Sequence, residues 1–122
     1  MPFLFEKLRA YQKAKSLSLV LTALSRQFPR GYSALSDQLR RAALSMPINL
    51  AEGSGRKHCA DRCQFFWVSR GSVLECASVI DMATEEKIIS GEERARFMSD
   101  LHLLSRMITR LIESEQRKRQ TA

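Results

Sequence analysis

The chain has 122 residues, of which 44% are hydrophobic and 27% are charged. These values are typical of one globular domain with a real core, and they exclude a disordered chain, which would be poorer in apolar residues. No apolar run approaches the roughly 20 residues that a membrane-spanning helix needs, so we expect no membrane partner. The net charge of +7 indicates either simple solubility or a polyanionic partner.

The positive charge is unevenly distributed along the chain. Residues 1–60 contain ten Lys and Arg but only three Asp and Glu, whereas residues 61–122 contain ten of each. The excess therefore comes from the first half. Three cysteines, an odd number, argue against a disulfide framework. The N-terminal stretch has no signal-peptide pattern, and we expect a cytoplasmic protein.

The first predicted helix covers residues 4–27 approximately. Its apolar residues recur at spacings of four and three, which is typical of the shallow crossing in a helical bundle. They are Ala10, Ala14, Leu17, Leu21, Leu24 and Phe28. Pro29 and Gly31 then end the helix, because proline cannot continue it and glycine tolerates a left-handed backbone.

The second predicted helix, residues 34–52, is apolar on two sides. Its core stripe consists of Leu35, Leu39, Ala42, Ala43, Met46 and Leu50. Leu44, Ile48 and Ala51 lie roughly opposite, and such a helix in a small domain needs a second partner to cover it. We therefore predict that Leu44, Ile48 and Ala51 form an interface between copies of the chain. Pro47 is expected to bend the helix and to shape this interface.

A polar line separates the two apolar sides of this helix. The residues of this line are Gln38, Arg41, Ser45, Asn49 and Glu52. Together with Glu75 of the third helix they are predicted to form a structural polar network. A carboxylate in the central part of a helix needs a partner, and Arg41 or Arg40 is the expected one for Glu75.

The third and fourth predicted helices cover residues 60–88 and 92–115. Gly71 is expected to allow a neighbouring helix to approach closely, because glycine otherwise costs about 1 kcal/mol in a helix. Trp67 and the pair Phe65-Phe66 have core-like spacing, which favours core or interface over base stacking. Ser90 and Glu93 form a predicted capping box before the fourth helix. The basic tail, residues 116–122, is expected to fray.

Several motifs together resemble a known family. They are Gln38-Leu39-Arg40-Arg41-Ala42-Ala43 with Ser45, Pro47, Asn49 and Ala51-Glu52-Gly53, then Phe28-Pro29, and Gly71-Ser72-Val73-Leu74-Glu75. The chain resembles the four-helix-bundle family of intervening-sequence proteins, some of which are encoded inside insertions in large-subunit ribosomal RNA genes. The resemblance implies an up-and-down bundle that assembles into a homo-oligomer, typically a pentamer. The chain is more distantly similar to accessory proteins of diversity-generating retroelements, which are basic bundles that bind nucleic acid and a reverse transcriptase.

The residues give little support to catalysis or metal binding. His58, Cys59 and Cys63 are the only cluster that resembles a metal site, and they lack the fourth ligand that structural zinc requires. No nucleophile has a recognisable base beside it, and no phosphate-binding glycine loop is present. We therefore predict a protein that is not an enzyme and that uses no metal or cofactor.

The fold class predicted for residues 1–122 is all-α, a single antiparallel up-and-down four-helix bundle that assembles into a ring-like homo-oligomer. In such a bundle the loop between helices 2 and 3 lies at the same end as both termini. That end would bind RNA or DNA through phosphate-backbone contacts from Arg56, Lys57, Arg62, Arg117, Lys118 and Arg119. The alternative is a scaffold whose basic end recruits a protein partner such as a polymerase or a reverse transcriptase.

Overall fold

Four long α-helices follow a short 3-10 helix in the computed structural model, which describes residues 1–121. The 3-10 helix is Leu4–Lys7, and the α-helices are α1 (Arg9–Ser25), α2 (Ser33–Ser54), α3 (Cys59–Glu85) and α4 (Gly91–Thr121). No strand occurs in this described part, so the all-α prediction is confirmed. None of its helices is both long and apolar enough to span a bilayer.

Polar contacts between neighbouring helices show that they run antiparallel. They are Ser36 Oγ to the Ser25 carbonyl for α1–α2, Ser69 Oγ to the Met46 carbonyl for α2–α3, and Arg94 to Asp81 for α3–α4. Lys13 pairs with Asp100 at 2.8 Å and joins α1 to α4. At Ser25–Ser36 and at Asp81–Arg94 the end of one helix meets the start of the next, as short connections between bundle helices require, whereas Met46–Ser69 lies nearer the middle of α2 and α3.

The predicted apolar stripes form one core. Leu21, Leu39, Met46, Ile80 and Leu104 are fully buried, with Ile108 and Ile112 continuing the α4 stripe. Each stripe repeats at three and four residues, so the helices meet along their whole length. The core therefore lies along the bundle axis, and any binding surface must be on the outside or at the two ends.

Helix α2 continues through Pro47, which is buried. Proline has no amide hydrogen, so the Ala43 carbonyl loses its usual helical donor. Further along, a Cβ on Gly53 would lie 2.7 Å from Phe66 Cε1 and 3.0 Å from the Arg62 carbonyl oxygen. The tight approach of α2 and α3 is therefore at Gly53. At Gly71 a Cβ would meet nothing within 4 Å, so the prediction that another helix of the same chain approaches closely at Gly71 is wrong.

Three helix ends differ from the prediction. Leu8 is extended, with φ −75° and ψ 122°, and separates the 3-10 helix from α1. Helix α3 ends at Glu85 because Lys87 has φ +62° and the amides of Lys87 and Ile88 bond the Thr84 and Ala83 carbonyls, which is a Schellman motif.

The third difference concerns the basic tail. Residues 116–121, which we expected to fray, continue α4 through Thr121, while Ala122 lies outside the described residues. At the other end of α4 the capping box is confirmed, since Glu93 N donates to Ser90 Oγ and Ser90 N donates to Glu93 Oε1.

Candidate nucleic-acid interface

Basic side chains from three parts of the chain meet at one end of the bundle. The 3-10 helix, the α2–α3 connection and the last turns of α4 enclose a groove of about 490 Å³, lined by Lys7, Arg56, Arg62 and Lys118 with a single carboxylate, Glu115. Leu4, Leu8, Phe66 and Leu111 provide its apolar floor. We call this end the basic pole; it also carries Lys57, Arg117 and Arg119. The 3-10 helix brings Lys7 to the same end, as the chain order of a bundle predicts.

Arg62 holds the basic pole together. Its Nη2 lies 2.8 Å from Glu115 Oε2, and its Nη1 donates to the Arg56 and Lys57 carbonyls at 2.9 and 2.8 Å. The Arg62 side chain is 20% exposed and that of Glu115 is 8% exposed. The hydrogen bond from Arg62 to Glu115 raises the pKa of Arg62 further above its usual value, so it stays charged.

These contacts change the interpretation of Arg62. All of its donor nitrogens are directed at groups of the protein, and it ties the α2–α3 connection to α4. A guanidinium bound in this way contributes positive potential, but it is not free to take a phosphate. We therefore remove Arg62 from the predicted phosphate contacts and assign it a structural role.

The other cations of the basic pole are more accessible. Arg56 is exposed, bonds Glu52 at 3.1 Å, and lies over the Phe65 ring with 4.6 Å between its Cζ and the ring centroid. Lys7 and Lys57 are exposed and pair with no acidic side chain within residues 1–121. Lys118 lies 3.5 Å from Glu115, while Arg117 and Arg119 are exposed on the same turns of α4.

The predicted polar network of α2 is divided into separate pieces. Gln38 Nε2 donates to Glu75 Oε2 at 2.9 Å, so the partner of Glu75 is an amide and not the expected arginine. Arg40 instead pairs with Asp37 at 2.7 Å, and Arg41 is exposed with no partner among the described residues. The expectation failed because Glu75 is itself exposed and needs no charged partner.

The second piece lies further along the α2–α3 contact. Asn49 Nδ2 donates to Ser45 Oγ at 2.8 Å, and Ser72 Oγ is 2.7 Å from the same oxygen. Ser69 Oγ donates to the Met46 carbonyl at 2.7 Å. These short side chains meet one another's hydrogen-bonding requirements where the two helices pack. Glu52, the last residue of the predicted network, pairs with Arg56 at the basic pole.

An apolar surface remains uncovered on the outer side of α2 and α3. Leu44 and Ile48 are 42% and 56% exposed, and Ala51 is half-buried. The Ser45–Ser72 hydrogen bond sets the register of the two helices, so Ile48 and the exposed Val68 lie at the same height. Ile48 and Ala51 also line an open groove of about 770 Å³ with Phe3, Phe5 and Pro47.

The aromatic residues of α3 differ in their surroundings. Phe66 is 1% exposed, so the prediction that it belongs to the core is confirmed. Trp67 is 47% exposed, so the core half of its core-or-interface prediction is wrong and the interface half stays a prediction. Helical spacing did not predict that Phe66 is buried and Trp67 exposed, because both lie on a wide apolar arc and their burial depends on which neighbouring helix covers each of them.

The cysteines do not form a metal cluster. Cys59 Sγ accepts a hydrogen bond from Arg62 Nη2 at 2.9 Å, and Cys63 is buried against the Ile112 carbonyl. His58 is exposed at the N-terminus of α3. Within residues 1–121 no three His, Cys, Asp or Glu side chains are grouped to hold a metal ion.

The comparisons with known proteins agree with the sequence resemblance. Residues 6–110 match the family described as 23S rRNA-intervening sequence protein. A search of curated proteins finds no match to the chain. The matched region covers all four helices apart from the last turns of α4. The chain therefore belongs to the 23S rRNA-intervening sequence protein family.

Proposed function

We propose that this protein binds nucleic acid without catalysing a reaction, through phosphate-backbone contacts at the basic pole, and that it acts as a homo-oligomer. The observation that carries the proposal is the convergence of Lys7, Arg56, Lys57 and Arg119 at one end of the bundle. The family description refers to 23S ribosomal RNA, which makes RNA the first ligand to test, with DNA as the comparison.

Electrostatics supports a polyanion as the partner. The pole combines exposed cations with carboxylates that are already paired: Glu115 with Arg62 and Lys118, and Glu52 with Arg56. The potentials of like charges add where the charges lie within the Debye length, which is about 8 Å at physiological salt. Backbone contacts carry no base-specific information, and we expect selectivity to come from the shape of the nucleic acid.

The uncovered apolar surface supports assembly of several copies. Ile48 and Val68 are exposed at one height of the α2–α3 face and Leu44 is exposed one helical turn away, where water contact with side chains of this kind is unfavourable. The open position at Gly71 on α3 would let a helix of another copy approach closely. The ring form and the number of five copies rest on the family resemblance. A ring would repeat the basic pole around its axis and strengthen its field.

The two buried thiols are not candidate nucleophiles. Burial raises the pKa of Cys63, and it raises the pKa of Cys76 to about 12. The thiolate is the nucleophilic form of cysteine, so these two side chains stay protonated and unreactive near pH 7.

Fluorescence anisotropy of a labelled RNA at increasing salt tests the proposal. With four to six phosphate contacts per chain, the logarithm of the binding constant should fall with the logarithm of salt concentration with a slope of about −3 to −4 on a single strand. A variant with Lys7→Ala, Arg56→Ala and Lys57→Ala should lose about two units of this slope.

A charge-matched control lies at the opposite end of the bundle. Arg26→Ala and Arg30→Ala combined with Lys87→Asn remove the same charge from the loops far from the basic pole, and asparagine tolerates the left-handed backbone at position 87. The proposal fails if binding does not depend on salt, or if both triple variants weaken it equally. If the pole instead docks an acidic protein, a partner will co-purify after nuclease treatment.

A further inference from the structure

Trp67 is the only tryptophan of the chain, and it stands beside a second cavity, which shares Glu115 and Arg119 with the basic pole. The cavity, of about 270 Å³, lies between the start of α3 and the end of α4. Its lining includes two thiols, Cys59 and Cys63, together with Gln64, Trp67, Glu115, Gln116 and Arg119. About half of the indole surface faces solvent, so packing in the core does not account for its position.

A cation is held next to the indole. Arg70 Cζ lies 5.6 Å from the centroid of the Trp67 ring, and Arg70 Nε donates to Thr109 Oγ1 at 3.0 Å. The bond to Thr109 fixes the guanidinium at the α3–α4 contact. Arg70 lies over one face of the indole, so a nucleobase would stack on the opposite face, while the cation attracts the phosphates of the strand.

Two amides complete the polar lining of the cavity. Gln64 and Gln116 are exposed, and neither side chain has a hydrogen-bond partner within residues 1–121. A glutamine amide both donates and accepts, which matches the mixed donors and acceptors on the edge of a nucleobase. Arg119 adds an exposed cation at the mouth.

Size and position restrict the ligand further. Pockets for whole small molecules begin at about 300 Å³, so this cavity suits a single ring system. Glu115 lines both this cavity and the groove of the basic pole, which makes the two sites neighbours. A strand held at the pole by its phosphates would therefore pass close to the indole.

From these observations we propose that one unpaired nucleobase of the bound strand stacks on Trp67, with Gln64 and Gln116 bonding its edge and Arg119 contacting a phosphate. The inference rests on the proposed function and makes it more specific. Bases in a duplex are stacked on one another and cannot enter such a cavity, so the preferred ligand is single-stranded or carries an unpaired loop.

The chain has one tryptophan, so the tryptophan emission of the protein reports on this site alone. Titration with single-stranded oligouridylate should quench the emission, whereas an oligouridylate–oligoadenylate duplex of equal length should not. Trp67→Leu should weaken binding of the single strand about tenfold, and Trp67→Phe should weaken it less because a ring remains. Met82→Ala, an exposed apolar truncation near the other end of α3, is the control and should bind like the wild type.

Anisotropy of the labelled strand and light scattering distinguish the possible failures. If the strand binds but the emission is unchanged and Trp67→Leu binds normally, the stacking proposal is overturned while the proposed function stands. If Trp67→Leu dissociates the assembly, Trp67 is a subunit contact and the stacking proposal is also overturned. If no RNA or DNA binds in either assay, the proposed function fails and the stacking proposal fails with it.

Discussion

Gly53 allows a sharp test of how α2 and α3 pack. A methyl group at this position would lie 2.7 Å from Phe66 Cε1, 2.9 Å from Phe65 Cβ and 3.0 Å from the Arg62 carbonyl oxygen. Favourable carbon–carbon contacts are about 3.5–4.0 Å, so all three neighbours would have to move. Phe66 is fully buried, and the Arg62 carbonyl belongs to a helix backbone, so neither can turn away into solvent.

The expected effect of Gly53→Ala is the difference of two opposing contributions. Alanine favours a helix over glycine by at most about 1 kcal/mol, and less near a helix end. Forcing an extra methyl group into a packed contact costs about 1–3 kcal/mol. Because a backbone atom is among those displaced, we place the cost at the upper end and expect the free energy of unfolding to fall by about 1–2 kcal/mol.

Urea denaturation followed by circular dichroism measures this difference. Wild type and variant must be compared at one chain concentration, because assembly shifts stability by mass action. Gly91→Ala is the control: position 91 is exposed at the start of α4, and a Cβ there meets nothing within 4 Å. The control should equal or slightly exceed the wild type in stability. A Gly53→Ala protein as stable as the wild type would refute the close α2–α3 contact.

Two further predictions concern the ion pair of the basic pole and the assembly. Burial alone would raise the pKa of Glu115, but its hydrogen bond and charge interaction with Arg62, together with Lys118, lower it below the usual value. This stabilisation is therefore fully present above the unfolded pKa of about 4.3 and is lost as pH falls through the lower folded pKa. Glu115→Gln should cost about 2 kcal/mol of unfolding free energy at pH 7, with the difference shrinking below pH 4 or so. Glu113→Gln, at an exposed glutamate of the same helix, is the control, and an equal loss in both variants would contradict the role of the pair. Ile48→Asp should abolish the native assembly in light scattering, whereas Leu19→Asp, at a side chain of α1 that is more exposed than Ile48, should leave it intact. Retention of the assembly by Ile48→Asp would show that the interface lies elsewhere.

The periodicity of the chain was sufficient to predict the four helices and the core. Leu21, Leu39, Met46 and Leu50 are on the expected stripes and are fully buried. Local signals also predicted the capping box before α4. Both kinds of pattern act over one or two helical turns, so they are readable in sequence without any knowledge of neighbours.

The candidate site was less predictable than the fold. The chain order placed Arg56, Lys57 and the cations of α4 at one end, because an antiparallel bundle brings its alternate connections together. The detailed role of each cation was not predictable. Arg62 bonds Glu115, which is 53 residues away along the chain, and nothing in its local sequence distinguishes it from Arg56.

The sequence by itself determined that this protein is an all-α chain with four amphipathic helices and an excess of positive charge, since these follow from residue types and their spacing. Only the tertiary structure decided that Leu8 interrupts the first helix, that Gly53 and not Gly71 is the close contact, and that Trp67 faces solvent. The physical reason is that helical spacing defines which side of a helix is apolar, whereas burial of one residue depends on which neighbour covers it. That neighbour comes from a distant part of the chain, and its position is set by the packing of all four helices together.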